Sequence, residues 1–146
     1  MSTLSIGHRG QGSQVPYNIL LIEDDESISE MLTECIESES SFRVTSLASG
    51  EEVLQHIQEI RETAPFLFII DYLLPGMNGL QLFDHLQSLE TFEQVPTIMI
   101  SATTMTEDIK TSLHDRNVAL LTKPFELADL LDYLEYIHTN STQQLL

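Results

Sequence analysis

Six side chains suited to a phosphate or metal site each follow a short apolar run in this sequence. Glu23, Asp24 and Asp25 come after Ile19, Leu20, Leu21 and Ile22, and Asp71 comes directly after Ile70. Ser101 comes after Ile100, and Lys123 comes two residues after Leu121. Carboxylates crowded into one crevice repel each other, so either one stays protonated or a cation neutralises them. Oxygen donors without His or Cys favour a hard divalent ion. Mg2+ fits best, because it is typically held by one or two carboxylates with waters and phosphate oxygens. A carboxylate beside Mg2+ can attack a phosphoryl donor, with the metal screening charge and positioning supplying most of the remaining catalysis. Lys123 would bring a positive charge to the phosphoryl oxygens and Ser101 a hydroxyl donor. The product of such a site is an acyl phosphate on Asp71.

Each of these residues also has an ordinary explanation. An acidic triplet after a strand often only caps a helix. Asp71 precedes Pro75 and Gly76, so it suits a strand-end turn. Ser101 suits a cap, and Lys123 a solvated charge. Convergence decides between the two readings, and convergence depends on the elements that carry the residues. Strand-length runs rich in branched or aromatic residues occupy 19–22, 42–47, 66–70, 97–100 and 118–121. The first, third and fourth lack polar alternation, as expected of strands covered on both faces. Between them lie helical stripes: Ile28, Met31, Leu32, Cys35 and Ile36; Val53, Leu54, Ile57 and Ile60; Leu82, Phe83, Leu86 and Leu89; and Leu127, Leu130, Leu131, Leu134 and Ile137. A weaker helix over 106–115 rests on Ile109 and Leu113. Five strands alternating with five helices predict an α/β doubly wound parallel sheet with right-handed crossovers. Ligand sites in such sheets lie beyond the carboxyl ends of the strands. That edge is where the six side chains fall.

Composition bounds the rest. The chain has 146 residues, of which 42% are hydrophobic, enough for one core without disulfides. Its single cysteine, Cys35, reads as a small buried side chain within a helical stripe. Residues 1–16 read as a flexible arm, 17–138 as the domain and 139–146 as a loose tail. No run approaches the ~20 apolar residues that span a bilayer, and no secretory signal opens the chain, so a cytoplasmic location is expected. Six Lys+Arg face 23 Asp+Glu, for a net charge of −17, which disfavours direct contact with nucleic acid or anionic membrane. His8, His56, His85, His114 and His138 show no metal-ligand spacing and read as surface residues.

The pattern resembles the receiver domain of two-component response regulators, over roughly residues 17–138. The likeness is carried by Ile19-Leu20-Leu21-Ile22-Glu23-Asp24, by Asp71-Tyr72-Leu73-Leu74-Pro75-Gly76-Met77-Asn78-Gly79, by Ser101-Ala102 and by Lys123-Pro124-Phe125. It implies a (βα)5 flavodoxin-like fold of the single-domain, chemotaxis type. It implies that Asp71 is the phosphoacceptor, fed by a sensor histidine kinase or phosphotransfer protein. Glu23 and Asp24 would help hold Mg2+ with Asp71 and the Leu73 backbone carbonyl, and a one-residue slip would bring in Asp25. Ser101 would be the switch hydroxyl and Lys123 the phosphoryl contact, with a cis bond to Pro124. One departure stands out: receivers often carry a Tyr or Phe three residues before the lysine, where this chain has Leu120. Leu73 and Thr103 occupy positions expected to influence phosphoryl lifetime.

If the chain is the whole protein, its output is protein contact, which in the family uses the fourth helix, fifth strand and fifth helix. Tyr133 and Tyr136, off the apolar stripe of the last helix, would help form an effector or homodimer surface there. Three other classes compete. A receiver-like scaffold would work without phosphorylation. A Mg2+-dependent aspartyl phosphatase would need a second carboxylate where Leu73 stands. A flavin-binding module would need a phosphate-cradling loop where Glu23, Asp24 and Asp25 stand.

Overall fold

The computed structural model describes residues 17–102, 105–116 and 118–144. The proposed arm at 1–16 and Thr103 lie outside the described residues. Five strands, β1 (Asn18–Ile22), β2 (Arg43–Leu47), β3 (Leu67–Asp71), β4 (Thr97–Ser101) and β5 (Ala119–Thr122), form one sheet in the order β2-β1-β3-β4-β5. All pairings are parallel. The helices are α1 (Glu26–Glu39), α2 (Gly50–Gln55), α3 (Ile57–Thr63), α4 (Gly79–Gln87), α5 (Glu107–Asp115) and α6 (Leu127–Gln144).

β3 and β4 are buried along their whole length, which is why their sequences carry no polar alternation. Alternate strand residues serve two cores. On one face Ile19, Leu21, Ile69 and Ile98 meet Leu32 and Ile36 of α1 and Leu130 and Leu134 of α6. On the other, Leu20, Ile22, Ile70 and Met99 meet Val53 of α2, Ile60 of α3, Leu82 and Leu86 of α4 and Leu113 of α5. The doubly wound parallel sheet expected from the sequence is the fold observed. Local caps sharpen the helix starts. Asp25 accepts from the Ile28 N–H, Ser49 from Glu52, and Asn78 with Gln81 forms a capping box on α4. The Arg116 guanidinium, at the end of α5, forks onto both carboxylate oxygens of Asp84 on α4, at 2.8 and 3.1 Å.

Several details differ from the sequence expectations. The second helix is broken at His56, giving six α-helices among the described residues where five were expected. The His56 N–H closes a tight turn on the Val53 carbonyl, and its ring reaches Glu59 at 3.0 Å. α1 packs through Ile28, Ser29, Leu32 and Ile36, so the expected stripe holds in part and is shifted toward Ser29. Met31 is consequently 46% exposed and Cys35 only half-buried. His138 is no solvated surface residue: its ring sits among Tyr17, Phe42 and Phe66, with centroids 4.6–5.7 Å away. His56, with a side chain 11% exposed, is likewise held by its neighbours. α6 runs to Gln144, past the last apolar residue of its stripe, since no Gly or Pro interrupts it. No helix among the described residues is long and apolar enough to cross a membrane.

Candidate functional site

The carboxyl ends of β1, β3, β4 and β5 share one edge, and the register fixes what meets there. Asp71 is the last residue of β3 and pairs with Ile100, while Ser101 ends β4 and pairs with Thr122. The Lys123 N–H donates to the Ser101 carbonyl at 2.7 Å, holding the lysine beside β4. The Lys123–Pro124 bond is cis, as the resemblance implied. On the other side the Glu23 N–H donates to the Leu47 carbonyl at 3.0 Å, fixing the start of the acidic segment against β2.

The side chains converge. Glu23 is 3% exposed, Asp71 5% and Ser101 2%. Lys123 Nζ lies 3.4 Å from Asp71 Oδ2 and 3.9 Å from Glu23 Oε1. Asp71 Oδ1 accepts the Leu73 N–H at 3.1 Å, so the two carboxylate oxygens have separate partners. Oxygen atoms of Glu23, Asp24 and Asp71 all lie within 4.8 Å of one another. Asp25 stands apart: its carboxylate caps α1, and only its N–H reaches inward, donating to Glu23 Oε2 at 3.1 Å. Leu73 is 64% exposed, on the loop that follows Asp71.

Burial and neighbouring charge both act on this edge. Burial, chiefly, pushes the Glu23 carboxyl up to about 7, and the neighbouring Asp71 adds to it, while the bond from Asp25 and the charge of Lys123 pull the other way. One ammonium therefore faces several carboxylates. Two buried polar atoms, Glu23 Oε1 and Ser101 Oγ, have no hydrogen-bond partner among the described residues, and such orphans are costly unless a ligand answers them. A hard divalent cation fits this set: clustered carboxylate oxygens with one orphaned oxygen among them, and no soft ligand. Asp24 is exposed, and so leaves the cluster open to solvent on one side.

Three residues were not singled out as site residues from sequence. Tyr72 lines a cavity of about 110 Å³ with Ser101, Met105 and Ile109. Its place directly after Asp71 was the only available clue. Gly79 brings α4 against the site, since a Cβ there would lie 2.6 Å from the Asp71 carbonyl oxygen and 2.8 Å from Tyr72 Cα. Glu51 on α2 bonds the loop after β3, and nothing in its local sequence marks it. Leu120, at the position where receivers often carry an aromatic ring, is half-buried against the core of Met99 and Leu113.

Comparison with known proteins agrees with this geometry. The response regulator receiver domain family matches residues 19–135. The DNA-binding response regulator MtrA of Mycolicibacterium paratuberculosis is 34% identical over 113 residues, covering 77% of this chain and 47% of MtrA. The two-component response regulator ARR7 of Arabidopsis thaliana is 25% identical over 133 residues, covering 86% of this chain and 65% of ARR7. The chain thus spans about half the length of MtrA. Two solved structures share the fold: a CheY-like receiver domain protein of Methanospirillum hungatei and the chemotaxis protein CheY4 of Vibrio cholerae. The first has a TM-score of 0.75 at 22% identity, covering 88% of this chain and 99% of its own. The second has 0.73 at 22%, covering 84% and 99%. By its matched sequence, its doubly wound sheet and the acidic cluster at the sheet's carboxyl edge, the chain belongs to the response regulator receiver domain family.

Proposed function

We propose that this receiver is a phosphorylation switch, in which Asp71 takes a phosphoryl group from a sensor histidine kinase or a phosphotransfer protein. The observation that carries the reading is the pairing of the buried Asp71 carboxylate with Lys123 Nζ at 3.4 Å, next to carboxylates that fit a cation. Glu23, Asp24, Asp71 and the Leu73 carbonyl would hold Mg2+, with Asp25 left to its capping role. When bound, the metal supplies charge neutralisation between the carboxylate and the phosphoryl oxygens.

The chain's own groups divide the remaining work. The Leu73 N–H orients the Asp71 carboxylate by holding Oδ1. Asp71 forms a bond to phosphorus while the phosphorus–nitrogen bond of a phosphohistidine breaks, and the imidazole keeps the electron pair. Lys123 then pairs with phosphoryl oxygens instead of bare carboxylate, and the Ser101 hydroxyl, buried without a partner among the described residues, donates to another. Catalysis is thus limited to the chain's own phosphorylation and dephosphorylation. Output would pass through protein contact at α5, β5 and α6, where Tyr133 and Tyr136 stack with centroids 6.2 Å apart and Tyr136 is 62% exposed. That surface suits an effector or a second copy of the chain, and the net charge of −17 disfavours nucleic acid.

The test is intact mass after incubation with acetyl phosphate and Mg2+, with and without chelator. The expected result is a metal-dependent gain of one phosphoryl group, absent from Asp71→Asn. No gain in the wild type, together with no binding of beryllofluoride, would overturn the reading in favour of a scaffold that works without phosphorylation.

A further inference from the structure

The loop between β3 and α4, residues 72–78, carries Leu73 at one end and the α4 cap at the other. Both ends are tied locally. The Leu73 N–H bonds Asp71, and the Tyr72 carbonyl accepts from Leu74 at 3.2 Å and Gly79 at 2.8 Å. Asn78 and Gln81 close the far end with their capping box. The middle, at Pro75, Gly76 and Met77, has no such local tie among the described hydrogen bonds. It is held from outside. Glu51, in the first turn of α2, accepts the Met77 N–H on Oε2 at 3.2 Å. The fit is close on both sides of that bond. Gly76 has φ +73°, and a Cβ there would lie 2.7 Å from the same Glu51 oxygen. A Cβ on Gly50 would meet Met77 Sδ at 3.0 Å. Two glycines therefore leave the space through which α2 reaches the loop.

We propose that Glu51 is a positioning residue for the metal: by holding Met77, it keeps the β3–α4 loop in the shape that presents the Leu73 carbonyl beside Glu23, Asp24 and Asp71. This rests on the reading of that cluster as a Mg2+ site. Glu51 is exposed and belongs to none of the site's own contacts, so its effect is exerted through the loop backbone. Leu74, buried in the core, fixes part of the loop independently, which places the effect at the lower end of the 10–100-fold typical of residues that support metal ligands.

The test is Mg2+ affinity by isothermal titration calorimetry on the whole chain, comparing wild type, Glu51→Ala, Glu51→Gln and Asp71→Asn, with amide hydrogen exchange at Met77 followed without metal. Glu51→Ala should weaken Mg2+ about tenfold and speed exchange at Met77. Glu51→Gln keeps an acceptor for the Met77 N–H and should stay within about twofold of wild type on the same scale. Unchanged affinity in Glu51→Ala overturns the proposal. So does a Gln variant as weak as the Ala variant, since that would assign the effect to the lost charge. Wild type binding no better than Asp71→Asn would instead overturn the Mg2+ reading beneath it, while exchange at Met77 would still report whether Glu51 holds the loop.

Discussion

The two ends of the sheet are built on opposite terms. At the carboxyl edge, Glu23, Asp71 and Ser101 are buried polar groups, two of them with an atom unpartnered among the described residues, and one half-exposed lysine faces the carboxylates. At the amino edge, Tyr17, Phe42, Phe66 and His138 form a cluster of rings, with Phe42 and Phe66 stacked at 5.8 Å and His138 edge-on to both. The amino end joins β1, the approach to β3 and α6 through aromatic contact, worth about 0.5–1.5 kcal/mol per pair beyond burial. At the carboxyl end the charge of Lys123 answers only part of the electrostatic cost. Tight packing and the candidate site are thus spatially separated along the same strands, and the separation can be tested from either end.

The largest effect should come from the amino end. Phe42→Ala removes a side chain that is 2% exposed and should cost about 3–5 kcal/mol by urea denaturation, while the rate of phosphoryl uptake by the remaining folded protein stays close to wild type. A comparable loss of uptake rate would break the separation. Next comes pH. The folded-state Glu23 carboxyl is raised from 4.5 to about 7, so the folded protein holds a proton that the unfolded chain releases. Its contribution is therefore fully present below about 4.5 and is lost as pH rises through 7, on the order of 1 kcal/mol per pH unit across that window in chelator. Glu23→Gln should flatten the slope. The smallest effect is Asp71→Asn, which removes a charge facing Glu23 while keeping an oxygen for the Leu73 N–H. It also removes the pair with Lys123, so stability should move by no more than about 1 kcal/mol in the same buffer as phosphoryl uptake is abolished. A much larger destabilisation would mean that the carboxyl edge holds the fold together after all.

Strand positions were the most legible feature, because β1, β3 and β4 are covered on both faces and uninterrupted Ile, Leu and Phe are the direct result. Those positions, with the rule that sites lie beyond the strand ends, bring Glu23, Asp24, Asp71, Ser101 and Lys123 to one edge before any coordinates are considered. What escaped depends on contacts between distant segments. The break at His56 arises from a turn that Gln55 and His56 do not encode. The face of α1 that packs depends on where α6 and the sheet lie, so Met31 and Cys35 could not be placed from spacing alone. His138 is polar by type but planar by shape, and only the packed rings of Tyr17, Phe42 and Phe66 make use of the second property. Glu51 lies 26 residues from its partner Met77, beyond the reach of any local pattern.

The guanidinium fork from Arg116 to Asp84 has a mechanical consequence. It ties the C-terminal end of α5 to α4, at the end of the helix where Leu113 is buried in the core. A nine-residue helix is about 13 Å long at the usual rise. Ile109 is only partly buried against the same core, so the helix is gripped more firmly at Arg116 than at Glu107 and Asp108, which are exposed.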